Sequence, residues 1–490
     1  MSQQPSPNDL IAQGRALMIE KALVAGRWRD GEASPIAVED PAEETVLGHV
    51  PSLGGAAVEQ AIEAAARAFP DWAARKGKDR GAVLARWAAL IEANENGLAA
   101  LISLENGKPW PEALGEVRYA NSFITWFAGM AERLDGRTIE SAKDEDLILA
   151  FREPVGPVAA ITPWNFPAAM ITRKAAAAFC AGCTMVLKPA SATPFTALAL
   201  ARLALEAGLP EGCFSVVTGA NREVGGRLTG SPLIRKLSFT GSTEVGRRLA
   251  EQCAPTLKRL SMELGGAAPL IVFEDADIDQ AVEGTVAGKF RAAGQTCVCP
   301  NRIYVHEAVR EDYLERLTAR VSKLKVGKPF EDGVVIGPLI DAKGLDKVED
   351  HIARTKAAGG RVLTGGARHE LGGRFFQPTV LAGGDDRLFA AEETFGPVAP
   401  VFAFLSEEEA LTRANASEFG LAAFLFTRDL DRAMRAGRAL EAGIIGVNSG
   451  FVSNAANPFG GVKQSGYGRE GSVYGLDDYL QVKSLTLALG

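Results

Sequence analysis

The spacing of apolar residues along the chain changes rhythm twice. Over 56–73 and 81–105, alanine-rich runs carry apolar positions at helical intervals, and each predicts a helix. A polar stretch around 132–148, "ERLDGRTIESAKDEDLI", interrupts them, and "LILAFREPVG" then alternates like a strand of a hairpin. From 156 onward short apolar segments alternate with longer helical ones. "GPVAAITPW" precedes a helical 168–182, and "TMVLKPA" precedes a helical 194–207. "FSVVTG" precedes a polar helical turn, and "IRKLSFTGS" precedes "TEVGRRLAEQC". Strand and helix in this alternation predict parallel βαβ units. After "SMELGG" the alternation restarts with "APLIVF", a helix from 277 and "NRIYVHEAV", and it runs to about 447. A Gly-Gly pair between strand-like segments places a domain boundary near 266–268. The last twenty residues, "GSVYGLDDYLQVKSLTLALG", end in an alternating strand pattern. The chain shows no internal repeat and no low-complexity segment.

Composition narrows the class. A chain of 490 residues exceeds one ordinary core and predicts two or three domains. With 47% hydrophobic and 23% charged residues it is globular rather than disordered. The net charge of −7 comes with no concentrated basic block, which argues against a nucleic-acid partner. The N-terminus, "MSQQPSPNDLIAQGRALMIEKALV", lacks the continuous apolar core of a secretory signal. The most apolar stretch, "AAMITRKAAAAFCAGCTMVL", contains Arg173 and Lys174, so it predicts no membrane span. The expectation is a soluble cytoplasmic protein. Six cysteines in so long a chain point to reduced thiols rather than a disulfide scaffold. The four histidines have no close His or Cys partner at zinc-like spacing, so no metal is expected. "CAGC" at 180–183 lies inside a helical run and reads as core thiols.

Chemistry in βαβ domains sits at strand C-termini near helix N-termini. The usual GxGxxG is absent. "FTGSTEVG" offers Gly241 for a tight turn and Ser242 to cap a helix or meet a phosphate. Alone, that is the start of any capped helix. In "LKPASATP", Lys188 ends a strand and Ser191 follows at the turn, where a lysine can bond ribose hydroxyls or phosphate; alone, it reads as a solvated cation. "TPWNFP" holds Trp164 and Asn165 between two prolines, and a rigid amide donor suits a developing oxyanion. "SMELGG" puts Glu263 at a strand end, where a carboxylate can act as general base. "GQTCVC" places Cys297 and Cys299 one residue apart. That spacing fits neither a zinc clip nor an unstrained disulfide.

Together these segments say more than any does alone. TPWNFP, KPASATP, FTGSTEVG, SMELGG, GQTCVC, EETFGPV and PFGGVKQSGYGRE occur in this order and at these intervals. The set resembles the aldehyde dehydrogenase superfamily over essentially the whole chain. Long runs such as "KFRAAGQTCVC" resemble its bacterial succinate-semialdehyde branch. The resemblance implies Cys297 as nucleophile, Glu263 as general base, and Asn165 with the Cys297 backbone N–H as oxyanion hole. It implies cofactor contacts at Trp164, Lys188, Ser191, Gly241, Ser242 and Leu264, and nicotinamide contacts at Glu393 and Phe395. A glutamate in MELGG favours hydrolysis of the thioester over its transfer to coenzyme A.

The resemblance also implies the substrate. Arg173 in "MITRK", Arg291 in "KFRAAGQTC" and Ser453 in "GFVSNAANPFGG" match positions that hold the distal carboxylate of succinate semialdehyde. Glutarate semialdehyde is one methylene longer, a difference of about 1–3 kcal/mol in discrimination, and is the alternative substrate. A broad aldehyde detoxifier is the second alternative. Many NAD-preferring relatives carry a glutamate where this chain has Ser191, so NADP is the expected cofactor, with NAD usable. Cys299 is a candidate redox partner of Cys297. The fold implied is α/β, with three parts. A Rossmann-type cofactor domain covers 1–139 and 155–265, and an α/β catalytic domain covers 266–465. A small β oligomerisation element covers 140–154 and 466–490, and the protein is expected to form a homodimer or homotetramer.

Overall fold

The computed structural model describes residues 5–489. Two mixed sheets with parallel cores organise it. The first is built in the order α1 (Trp110–Met130), β1 (Val158–Ile161), α2 (Ala169–Ala181), β2 (Met185–Lys188), α3 (Pro194–Glu206), β3 (Phe214–Val216), β4 (Lys236–Thr240), α4 (Thr243–Cys253) and β5 (Arg259–Glu263). In space the five strands run β3-β2-β1-β4-β5 and all are parallel. The chain therefore starts in the middle at β1, moves outward through β2 and β3, and returns to the other side for β4 and β5. That reversal puts a topological switch point between β1 and β4, and loops at strand C-termini diverge there to leave a crevice.

Every residue of β1 to β4 is buried except Ile161, which is half-buried. Helices cover both faces, so these strands read as continuous apolar runs rather than alternating ones. The second sheet centres on β6 (Pro269–Val272) and β7 (Arg302–His306), with α5 (Ile278–Lys289) between them in sequence. It continues to β8 (Thr379–Ala382), β9 (Val398–Phe404), β10 (Ala422–Phe426) and β11 (Ile444–Val447). Its order is 361–364, β8, β9, β7, β6, β10, β11. A third, three-stranded sheet joins Arg137–Ile139, Asp146–Pro154 and Leu480–Ala488 in antiparallel pairs.

Three details differ from the sequence expectation. The helix expected over 81–105 is two helices, Gly77–Ala93 and Glu95–Asn106. Asn94 breaks them, its side-chain amide donating to the Leu90 carbonyl at 2.8 Å. The small sheet begins at Arg137 rather than 140 and takes only 480–488 from the C-terminus. Gly466–Tyr467 pairs instead with β5 of the first sheet. The third detail is α1, which the apolar pattern did not announce. Glu112, Glu116 and Tyr119 stand along one face at positions i, i+4 and i+7, and Glu116 is 3% exposed. Polar residues turned inward hide the apolar stripe by which such a helix is recognised. No helix among the described residues is long and apolar enough to cross a membrane.

Candidate active site

The crevice at the switch point is a cleft of about 260 Å3. Trp164, Asn165 and Phe166 enter it from the loop after β1, and Thr240, Gly241 and Ser242 from the end of β4. Leu264, Cys297, Glu393 and Phe395 complete the wall, so eight of the residues singled out in the sequence meet there. α4 starts at the cleft. Ser242 caps it, its Oγ accepting from Val245 N at 3.4 Å. Gly241 has no room for a Cβ, because the Phe239 ring lies against it. A Cβ at Gly246 would meet Leu264 Cδ2 at 2.5 Å, so this glycine lets α4 sit close on the wall.

The neighbouring helix α3 is different. Its N-terminal amides on Phe195 and Thr196 already donate to the buried Glu105 carboxylate at 2.8 and 2.9 Å. An anion at the switch point therefore faces the dipole of α4 and not that of α3. Lys188 ends β2 and Ser191 follows in the turn, both outside the cleft wall. Lys188 Nζ donates to its neighbour's carbonyl on Pro189 at 3.1 Å, and burial lowers its pKa to about 8.

On the opposite wall, burial pushes Glu393 up to about 8, and its Oε1 has no partner. Phe395 has a left-handed backbone, φ 54°, and stands edge-on to Trp164 with ring centroids 5.5 Å apart. A buried acceptor without a donor, a helix N-terminus and a glycine-lined floor suit the ribose, phosphate and ring of a dinucleotide.

Asn165 Nδ2 donates to the Gln295 carbonyl at 3.0 Å, two residues before Cys297. An amide nitrogen carries two hydrogens, so this bond fixes the amide plane and leaves one donor for the cleft. The loop is pinned from behind. Lys108 Nζ donates to the Asn165 carbonyl at 3.0 Å and is ion-paired with buried Glu116. Glu116 accepts in turn from Ala168 N at 2.9 Å and Ala169 N at 3.3 Å, where α2 begins.

The cysteine loop is held just as firmly. Ala292, Ala293 and Gly294 are all left-handed, with φ of 50°, 53° and 75°. Glu112 accepts from Ala292 N at 2.8 and 3.1 Å. Gln295 ties the loop to its surroundings, donating to Ala292 O at 3.0 Å and accepting from Ile340 N at 3.0 Å. Cys297 is half-buried. Burial, Glu393 and Glu263 push its thiol up to about 12, against the pull of Arg173 and Arg291. Cys299 is a free, buried thiol that takes a hydrogen bond from Lys289 Nζ at 3.2 Å.

Glu263, at the end of β5, is buried with both oxygens unpartnered. Burial and the charge of Glu470 raise its pKa well above the ordinary carboxylate range. Glu470 keeps its charge because Lys174 and Arg173 lie beside it. Of the two carboxyls, Glu263 is the one whose affinity for a proton is raised.

Arg173, Arg291 and Ser453 do not line the cleft, but each touches its surroundings. Arg173 Nη1 lies 3.8 Å from Met170 Sδ, a wall residue, and its Nε is 3.0 Å from Glu470. Arg291 stacks between Phe166 and Phe451, at 5.2 Å from each ring. Ser453 Oγ is hydrogen-bonded to Tyr119. The sequence reading missed Lys108, Glu112, Glu116, Gln295, Glu470 and Lys347, the last of which also lines the cleft. Gln295 and Glu470 stand inside quoted motifs. The others lie in segments whose local pattern carries no sign of the cleft.

The chain matches the aldehyde dehydrogenase family model over residues 28–485. It is 54% identical over 477 residues to an NADP-dependent succinate-semialdehyde dehydrogenase of Escherichia coli, covering 96% of this chain and 98% of that one. It is 51% identical over 473 residues to a glutarate-semialdehyde dehydrogenase of Pseudomonas aeruginosa, with the same coverage. The crystal structure of a succinate-semialdehyde dehydrogenase from Burkholderia pseudomallei superposes with a TM-score of 0.96 at 52% identity, covering 96% of this chain and 98% of that one. The match runs from the edge strand at 27–29 into the final strand, and so takes in both sheets and every wall of the cleft. The chain as a whole therefore belongs to the aldehyde dehydrogenase family.

Proposed function

We propose that the protein oxidises a short aldehyde bearing a terminal carboxylate, succinate semialdehyde before others, to the dicarboxylate with NADP. The observation that carries the reading is the pair of guanidiniums behind the cleft wall, Arg173 against Met170 and Arg291 against Phe166. A planar guanidinium matches the two oxygens of a carboxylate.

The residues have distinct tasks. Cys297 Sγ, as the thiolate, adds to the aldehyde carbon to form a thiohemiacetal, which becomes a thioester when its carbon gives up hydride. The free Asn165 N–H and the Cys297 backbone N–H receive the oxyanion. Trp164, Gly241, Ser242, Leu264, Glu393 and Phe395 would hold the dinucleotide, with Lys188 and Ser191 toward its adenosine end. When bound, the oxidised nicotinamide supplies the hydride acceptor and a positive charge. Glu263, whose oxygens have no other partner, takes the proton of the water that hydrolyses the thioester. Ser191 brings no carboxylate to repel a 2′-phosphate, which supports NADP.

Glutarate semialdehyde is the second reading. A relative named for it is as extensively matched, and one methylene changes discrimination by only about 1–3 kcal/mol. Exposed apolar positions on the C-terminal strand, Val482 at 73% and Leu487 at 37%, support assembly into a homodimer or homotetramer. The test is a set of initial rates with succinate semialdehyde, glutarate semialdehyde and acetaldehyde, each with NADP and NAD. Preference for the acid aldehydes is expected. Equal kcat/KM for acetaldehyde would replace the reading with a broad detoxifier.

A further inference from the structure

Near Arg173 stands a group that no motif contains. Tyr119 on α1 is hydrogen-bonded through its hydroxyl to Ser453 Oγ. Its ring is fixed edge-on against Phe123, with centroids 4.9 Å apart at 72°. The Arg173 guanidinium lies over that same Phe123 ring at 4.9 Å and over Phe459 at 4.1 Å. Burial opposes the charge of Arg173, but Tyr119, Glu470, Glu263 and Cys297 together hold its pKa above the ordinary value. Arg173 is fully buried, and its Nη2 has no hydrogen-bond partner. The ring that carries the hydroxyl pair and the guanidinium with its unpartnered nitrogen thus pack on the same Phe123 side chain.

A hydroxyl pair uses one hydrogen between its members and leaves the other free. A carboxylate offers about four acceptor positions on two oxygens, more than one guanidinium edge fills. Aliphatic aldehydes have no such need. A half-buried phenol and a buried serine that satisfy only each other are therefore poised to turn toward an anion.

We propose that Tyr119 is a substrate-binding residue whose phenol O–H, with Ser453 Oγ and Arg173, holds the distal carboxylate of the aldehyde. The inference rests on the carboxylate-aldehyde reading above and deepens it. Tyr119 sets specificity by giving the tail a donor on a stiff ring, at a fixed distance from Cys297. A rival role is indirect, with Tyr119 doing no more than orienting Ser453.

Tyr119→Phe keeps the ring on Phe123 and removes only the hydroxyl. The quantity to measure is the ratio of kcat/KM for succinate semialdehyde to that for butanal. It should fall about 10- to 100-fold, the size of one hydrogen bond to a charged group, mainly through KM for the acid aldehyde. The same substitution made in Ser453→Ala should lower the ratio again. A ratio within about twofold of wild type would overturn the inference. So would a double variant no worse than Ser453→Ala alone, because Tyr119 would then act only through the serine. Each ratio compares two substrates on one sample, so a partly folded preparation does not distort it. Should Tyr119→Phe fail to fold, Tyr119→Met keeps the bulk and carries the same expectation. A wild-type protein without preference for the acid aldehyde would sink the proposed function and this inference together. Preference kept intact in Tyr119→Phe would sink this inference alone.

Discussion

Replacing Glu112 by alanine removes the acceptor of Ala292 N, at the start of the cysteine loop. Ala292 and Ala293 have Cβ atoms yet lie in the left-handed region, at φ 50° and 53°. That conformation costs about 1–2 kcal/mol per residue, so the pair stores about 2–4 kcal/mol. Glu112 opposes the strain with a carboxylate bonded to Ala292 N at 2.8 and 3.1 Å, worth about 1.5–3 kcal/mol as a hydrogen bond to a charged group. The two terms are of equal size. Without the carboxylate the loop should relax toward ordinary backbone angles and carry Cys297 away from Asn165. At about 1.4 kcal/mol per tenfold, the competent population falls about 10- to 150-fold. Two readings should drop in parallel in Glu112→Ala: kcat/KM for succinate semialdehyde and the rate of Cys297 alkylation by iodoacetamide. Glu112→Gln keeps an oxygen acceptor and should lose less than about tenfold. Ala293→Gly lowers the strain, so adding it to Glu112→Ala should restore part of both rates. Wild-type rates in Glu112→Ala, or a double variant no better than the single one, would refute the argument.

Glu263 works as a base only when ionised, and burial with Glu470 beside it raises its pKa. Thioester hydrolysis should therefore rise with pH and fall as pH drops through that raised value. Glu263→Gln should keep a first-turnover burst of reduced cofactor while steady-state kcat falls about 10²- to 10⁴-fold; loss of the burst as well would show that Glu263 serves the earlier step. Ser191→Glu places a carboxylate beside the turn after β2 and should cut kcat/KM for NADP at least about tenfold relative to NAD. An unchanged cofactor ratio would remove Ser191 from the adenosine end. Glu105→Ala leaves two buried amides at the start of α3 without an acceptor and should lower unfolding free energy by at least about 2 kcal/mol in urea titration. A midpoint equal to wild type would mean that water replaces the carboxylate.

The parallel core was legible because its signal is local. A fully covered strand such as β2, "MVLK", is apolar at consecutive positions, and the helix that follows changes the period to that of a helix. Strand ends were legible too, since glycine, proline and capping serine mark where a strand stops, and in this topology strand ends are where ligands bind. So Trp164, Asn165, Gly241 and Ser242 could be pointed to from the sequence, and the fold carries them into one cleft. What the sequence did not carry was pairing at a distance. The Lys174–Glu470 ion pair joins positions 296 residues apart, and neither residue differs locally from a surface charge. Asn94 shows the reverse limit. One polar side chain bonded to a carbonyl four residues earlier ends a helix inside an unbroken apolar pattern.

α1 joins these two kinds of evidence. Its inner face presents Glu112, Glu116, Tyr119 and Phe123, spaced i, i+4, i+7 and i+11, the repeat by which a helix stacks residues on one side. Glu112 takes Ala292 N of the cysteine loop, and Glu116 takes Ala168 N and Ala169 N behind Asn165. Tyr119 meets Ser453, and Phe123 lies under Arg173. Three segments far apart in sequence, the cysteine loop, the first turns of α2 and the chain at Ser453, are thus referred to one rigid body. In a loop-built site each segment could drift alone by a fraction of an ångström. Attached to a single helix, the Cys297 loop, Asn165 and Arg173 keep their mutual distances or lose them together, as the roles proposed for them require. Catalysis depends on those mutual distances rather than on any one position. A helix with this duty must turn polar groups inward, and for that reason its apolar stripe is too broken to announce it in the sequence.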